Sequence, residues 1–159
     1  MPTDFFALLH RDHTDLQQEL TQLLDPAVSL SQLRSSLDGV RLGLVAHAEA
    51  EDIVLGRFDK HPSLALLVNQ TRAAHRAQEA ALTQLVLTRP STRMWRRCAY
   101  HLRELVAHHA IQEAQDLQPA LRELAAEYPR LAGAFATERL QQLAMLQPSA
   151  PVYSLAAAY

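Results

Sequence analysis

Six residues in this sequence have the types and the spacing to hold cations: His13, His47, Glu51, His75, His109 and Glu113. His13 and His47 stand 34 positions apart, and so do His75 and His109. A shift of 62 positions carries His13 onto His75, His47 onto His109 and Glu51 onto Glu113, with Leu20 falling on Leu82 and Leu55 on Leu117. The chain thus supplies one set twice, a single histidine followed by His-x-x-x-Glu. Residues four apart on a helix lie on one face, so each His-Glu pair can meet one site. Four imidazoles and two carboxylates suit two ions better than one, since the carboxylates can bridge while each ion takes two imidazoles and keeps positions open. Imidazole serves zinc, copper, iron and nickel alike, so the spacing leaves the metal unnamed.

The elements that must position these residues read as helices. Only four glycines, abundant Leu, Ala and Gln, and long stretches without turn residues argue for an all-α chain. Thr3 can cap a first helix running to about Leu24, where Asp25-Pro26 stops it. Ser29 with Gln32 resembles a capping box for a second helix reaching about Asp59. His61-Pro62-Ser63 separates that from a third, about 64–88. Arg89-Pro90-Ser91-Thr92 precedes a fourth, which ends before Tyr128-Pro129. The expected fold is an up-down antiparallel four-helix bundle with a short fifth C-terminal helix, about 130–146. Residues 1–146 form one domain, and 147–159, with two prolines, form a tail loose or laid over the surface.

The six residues interrupt apolar stripes. The first helix reads Phe6, Leu9, His13, Leu16, Leu20, Leu23; the second reads Leu33, Leu37, Val40, Leu44, His47, Glu51, Val54, Phe58. The third gives Leu64, Val68, Thr71, His75, Gln78, Leu82, Leu85, and the fourth Leu102, Val106, His109, Glu113, Leu117, Leu124. A lone His-Glu pair is commonly a solvated pair worth roughly 0.2–0.5 kcal/mol. Two in register inside core stripes are different, because a buried carboxylate without a partner costs more than a small domain can spare. A pair of divalent ions would offset that cost. One register check is mixed: His47 lies six residues farther from its joint than His13, about 9 Å along a helix. Either the second helix starts near Ser35 or Ser36, or the first two helices are not level.

Composition excludes several alternatives. Fifteen Lys plus Arg against 17 Asp plus Glu give a net charge of −2, no field for gripping nucleic acid or an anionic membrane. No stretch approaches eighteen apolar residues, so a membrane span is not expected. A single cysteine, Cys98, and a start without a signal-peptide pattern point to a cytoplasmic protein. Arg89, Arg93, Arg96 and Arg97 around Trp95 could dock an acidic protein partner, although such a run is more often a solvated helix start.

The segments RDHTDL, HAEAEDIVL, AAHRAQEAAL and HHAIQEAQDLQP, in this order, resemble the hemerythrin-like, or HHE cation-binding, family across about residues 6–120. The resemblance implies a non-heme di-iron centre, oxo- or hydroxo-bridged, with His13, His47, Glu51, His75, His109 and Glu113 as ligands and the two glutamates bridging. It also implies binding of, or reaction with, O2, NO or peroxide, or else sensing of iron or redox state without turnover. Two departures from the oxygen carriers argue against reversible storage. Glu79 stands where carriers place a second third-helix histidine, and Ala114 where they place an aspartate. Glu79 is therefore either an additional ligand or a solvated residue, and His10, one turn before His13, is an outer partner, a replacement ligand or a surface residue. Tyr100 and Asp116 can approach the site without being ligands. His61, His101 and His108 are expected at joints or surfaces.

Overall fold

The computed structural model describes residues 4–124 and 128–147. It is built from α1 (Phe5–Leu24), α2 (Leu30–Leu55), α3 (Ala65–Leu87), α4 (Arg93–Gln112), α5 (Gln118–Arg122) and α6 (Tyr128–Leu146), with no strand among the described residues. Helices α1 to α4 close a ring in which each packs on its two neighbours. Side-chain pairings fix their directions: His13 with His47 and Gln22 with Ser36 make α1 and α2 antiparallel, and His75 with His109 and Thr88 with Cys98 do the same for α3 and α4. This is the expected up-down bundle. No helix among the described residues is long and apolar enough to cross a membrane.

Local chemistry explains most boundaries. Asp4 caps α1, its Oδ1 accepting from the Phe6 N–H at 2.9 Å, and Thr3 lies outside the described residues. Ser29 and Gln32 form the expected capping box. Since α2 starts at Leu30, the first two helices are not level, and the first residues of α2 run past the end of α1. Two elements add detail to their expected course. The fourth helix, expected to end before Tyr128-Pro129, continues helically to Arg122 but widens after α4 into a π turn over Glu113–Leu117, where the Gln118 N–H donates to the Glu113 carbonyl five residues back. Pro119 supplies the reason: it has no N–H for the Gln115 carbonyl, and a widened turn accommodates the loss. The fifth helix forms where it is expected. It spans 19 residues and begins at Tyr128, leaving Pro129 in the first turn, where a missing N–H costs nothing. Of the tail expected over 147–159, all but Gln147 lies outside the described residues.

The core lies in two apolar bodies along the bundle axis. One gathers Phe5, Leu9, Val54, Val68, Leu117 and Phe135; the other gathers Leu16, Leu20, Leu44, Leu82, Trp95 and Leu102. Each such side chain contributes roughly 1.5–3 kcal/mol by leaving water. Between the two bodies runs one polar layer, and α6 covers the α1–α2 face beside it through Leu131, Ala132 and Phe135. Ser29→Ala, which removes one half of the capping box, is expected to lower unfolding free energy by about 1 kcal/mol. It should move the urea midpoint without changing the slope. An unmoved midpoint would mean that the cap contributes nothing to seating α2.

Candidate metal centre

The polar layer is made of the six residues that the repeat singles out. α1 supplies His13, α2 His47 and Glu51, α3 His75, α4 His109, and the π turn Glu113; all are buried, at no more than 5% exposure. One histidine comes from each of α1 to α4 because each occupies a core position of its stripe, at the same level of the bundle.

The rings meet in two pairs. His13 Nε2 lies 3.0 Å from His47 Nε2, and His75 Nε2 lies 3.0 Å from His109 Nε2. Two nitrogens each about 2.1 Å from one cation and at right angles to it would be about 3 Å apart. The carboxylates span the pairs. Glu113 sets Oε1 at 3.0 Å from His109 and Oε2 at 3.6 Å from His13. Glu51 Oε2 stands 3.4 Å from His47 Nε2 and 3.3 Å from His75 Nε2. His47, Glu51, His75, His109 and Glu113 form a cluster that could hold a metal ion, with one ligand atom of each within 4.8 Å of the others. His13 joins through His47 and Glu113.

The electrostatics also suit a cation. Both oxygens of Glu51 and Oε1 of Glu113 are buried without a hydrogen-bond partner; the imidazoles around them are ion-pair neighbours whose geometry does not make aligned hydrogen bonds. In the metal-free protein, protons on the imidazoles take the place of the missing charge. Burial lowers His47, but Asp12 and Glu51 outweigh it and push the imidazole up to about 9. Burial likewise opposes charge on His109, yet Glu113 and Glu51 push it up to about 10. His13 goes the other way, held well below the usual imidazole range by burial and by its charged neighbours His47 and His109. Burial raises Glu51, but the surrounding His109, His47 and His75 overcome it and hold the carboxyl well below its ordinary range. Burial, with the Glu51 charge beside it, lifts Glu113 to about 7.

Two acids brace imidazoles from behind. Asp52 Oδ1 lies 2.8 Å from His75 Nδ1, and Asp12 Oδ2 lies 3.3 Å from His47 Nδ1. An Nδ1–H donated outward leaves the Nε2 lone pair facing the cluster. Arg139 of α6 donates from Nε to Asp12 Oδ2 at 2.6 Å, and Phe135 sets its ring edge-on to His47 with centroids 5.8 Å apart. Sequence reasoning missed Asp12, Asp52, Phe135 and Arg139. Asp12 and Asp52 adjoin His13 and Glu51 in the chain, which was the only local signal.

The remaining candidates lie outside the cluster. Glu79 is half-buried on α3, raised by burial and by Glu49, while Gln78 takes the inward position. His10 is exposed and lines a cavity of about 320 Å³ between α1 and the π turn, together with Leu9, His13, Glu113, Ala114 and Arg122. This cavity gives solvent a way to His13 and Glu113. Tyr100, Asp116, His101 and His108 are exposed, and Trp95 is buried beneath the arginine cluster.

A family model described as the hemerythrin HHE cation binding domain matches residues 4–121. No curated protein and no solved structure matches the chain.

Because a cation needs the Nε2 lone pairs that protons occupy on His47 and His109, metal uptake at pH 7 is expected to release on the order of two protons per chain. Affinity should rise as pH climbs toward about 9 and 10, where those imidazoles deprotonate. An indicator dye in weak buffer reads the release on adding zinc, and uptake without acidification would contradict protonation of the two rings.

Proposed function

Because the chain belongs to the hemerythrin HHE cation-binding domain family, we propose that its buried cluster holds two non-heme iron ions that bind or react with a small oxidant, O2, NO or peroxide. The observation carrying this reading is the division of the six side chains into two His–His pairs spanned by two carboxylates. His13 and His47 would hold one ion, His75 and His109 the other, with Glu51 and Glu113 shared. Iron bound there would supply redox electrons and open coordination positions. The protein's own part is to keep the imidazoles turned Nε2 inward, to exclude water above and below with the two apolar bodies, and to admit a small molecule past His13 and Glu113. A cytoplasmic setting and a small diatomic or peroxide ligand belong to the same proposal.

Protein purified without chelator or metal-affinity tag should contain about two irons per chain by elemental analysis, with charge-transfer absorption near the ultraviolet edge. His75→Ala and Glu113→Ala should lose both features. Full iron content in both variants would sink the reading, as would a chain that stays metal-free after anaerobic reconstitution with ferrous iron.

One observation favours a second reading, an iron or redox sensor without turnover: Phe135 and Arg139 of α6, beyond the matched region, touch the back of the site. Metal that binds the folded chain and not the unfolded one stabilises the bundle. In limited proteolysis, loss of metal should then hasten cleavage around α6. Equal rates with and without metal would leave the oxidant reading alone.

A further inference from the structure

We propose that Arg139 is a positioning residue for one half of the metal centre: acting through Asp12, it fixes the His47 imidazole, so that the His13/His47 pair depends on α6 and the His75/His109 pair does not. This rests on the two-ion reading above and adds to it a residue from outside the family-matched region, which ends at residue 121.

Leu131, Phe135 and Arg139 follow one another at intervals of four, so one face of α6 carries all three. Leu131 and Phe135 bury themselves in the apolar body beside the site, with Phe135 edge-on to Phe5 at 5.7 Å. One turn farther on, the guanidinium of Arg139 reaches Asp12. That aspartate is only 6% exposed, and a carboxylate so buried needs charged or hydrogen-bonding partners. It has two, and both use one oxygen: Oδ2 accepts from Arg139 Nε at 2.6 Å and faces His47 Nδ1 at 3.3 Å. The shorter, charge-assisted bond is the one that sets where Oδ2 stands. Without Arg139 the carboxylate is free to turn toward solvent. His47 then loses the acceptor behind it and is free to carry its hydrogen on Nε2, where no lone pair is left for a cation.

The other half of the centre is braced differently. His75 Nδ1 meets Asp52 Oδ1 at 2.8 Å, a contact between α2 and α3 in which α6 has no part. The 62-residue repeat places Ala74 where Asp12 would recur and Ala114 where Asp52 would recur, so both bracing acids come from the first hairpin alone. The ligands are duplicated and their supports are not.

The test is an anaerobic titration of the full chain with ferrous iron, read by equilibrium binding, for the parent, Arg139→Ala, Asp12→Asn and the double variant. The parent should take two equivalents. Arg139→Ala should keep one of them at parental affinity and bind the other about 10–100-fold more weakly. The double variant should be no worse than Asp12→Asn, because Arg139 acts only through Asp12, and Arg139→Lys should restore most of the lost affinity. Leu131→Ala, which thins the packing of α6 without touching Asp12, serves as the structural control: it should lower the unfolding midpoint and keep both equivalents. Parental binding in Arg139→Ala, equal weakening of both equivalents, or additive losses in the double variant would each overturn the assignment. A parent chain that takes fewer than two equivalents would overturn the two-ion reading and this assignment with it, an outcome separate from the others because it appears before any variant is made.

Discussion

Everything in this bundle is arranged around the cost of placing two carboxylates in a nearly dry layer between two apolar bodies. Glu51 is completely enclosed and neither of its oxygens has a hydrogen-bond donor. In a medium that screens charge weakly, such a group is tolerated only beside positive charge, and the four imidazoles provide a place to hold it, as protons or as a cation. The level of the six residues along each helix, the split of the apolar core into two bodies, and the covering of the α1–α2 face by α6 all follow from keeping that layer closed.

Much of this was legible in the chain because the information is local. Three-four spacing put His13, His47, Glu51, His75, His109 and Glu113 in core positions, and Ser29 with Gln32 marked where α2 begins. What escaped was set by long-range contact or by backbone accounting. Arg139 reaches Asp12 across 127 positions, and no spacing rule joins residues so far apart. Pro119 was visible, but a proline inside a helical pattern can stop, kink or widen a helix, and only the hydrogen bond from Gln118 back to Glu113 decides for the π turn. Tyr128-Pro129 reads as the joint before the last helix, and that helix takes both residues into its first turn, which proline suits as well as it suits a break.

A nearly symmetric set of candidate ligands sits in an asymmetric setting. The two hairpins contribute alike, yet the bracing acids belong to the first, the solvent-reaching cavity opens on His13 and Glu113, and among the described residues of the cluster His47 is the one whose ring meets an aromatic of α6. Two ions held there would differ in the stiffness of their ligands and in exposure to incoming molecules. The repeat accounts for the candidate ligands; their unlike surroundings are where the two positions acquire separate characters.

The contact between Asp12 and Arg139 also bears on the order in which the molecule is made. Synthesis proceeds from the N-terminus, and a domain folds as a unit once its segments are present. His13 and His47 emerge early and can pair as a hairpin, but the ring of four helices closes only after α4, and the brace on His47 arrives only with α6. Until α6 emerges, a nascent chain therefore holds an unfinished polar layer, with acids and imidazoles open to water. Sequestration of that layer waits on a helix that follows the ring of four, so its protection depends on a segment made after all of its own residues.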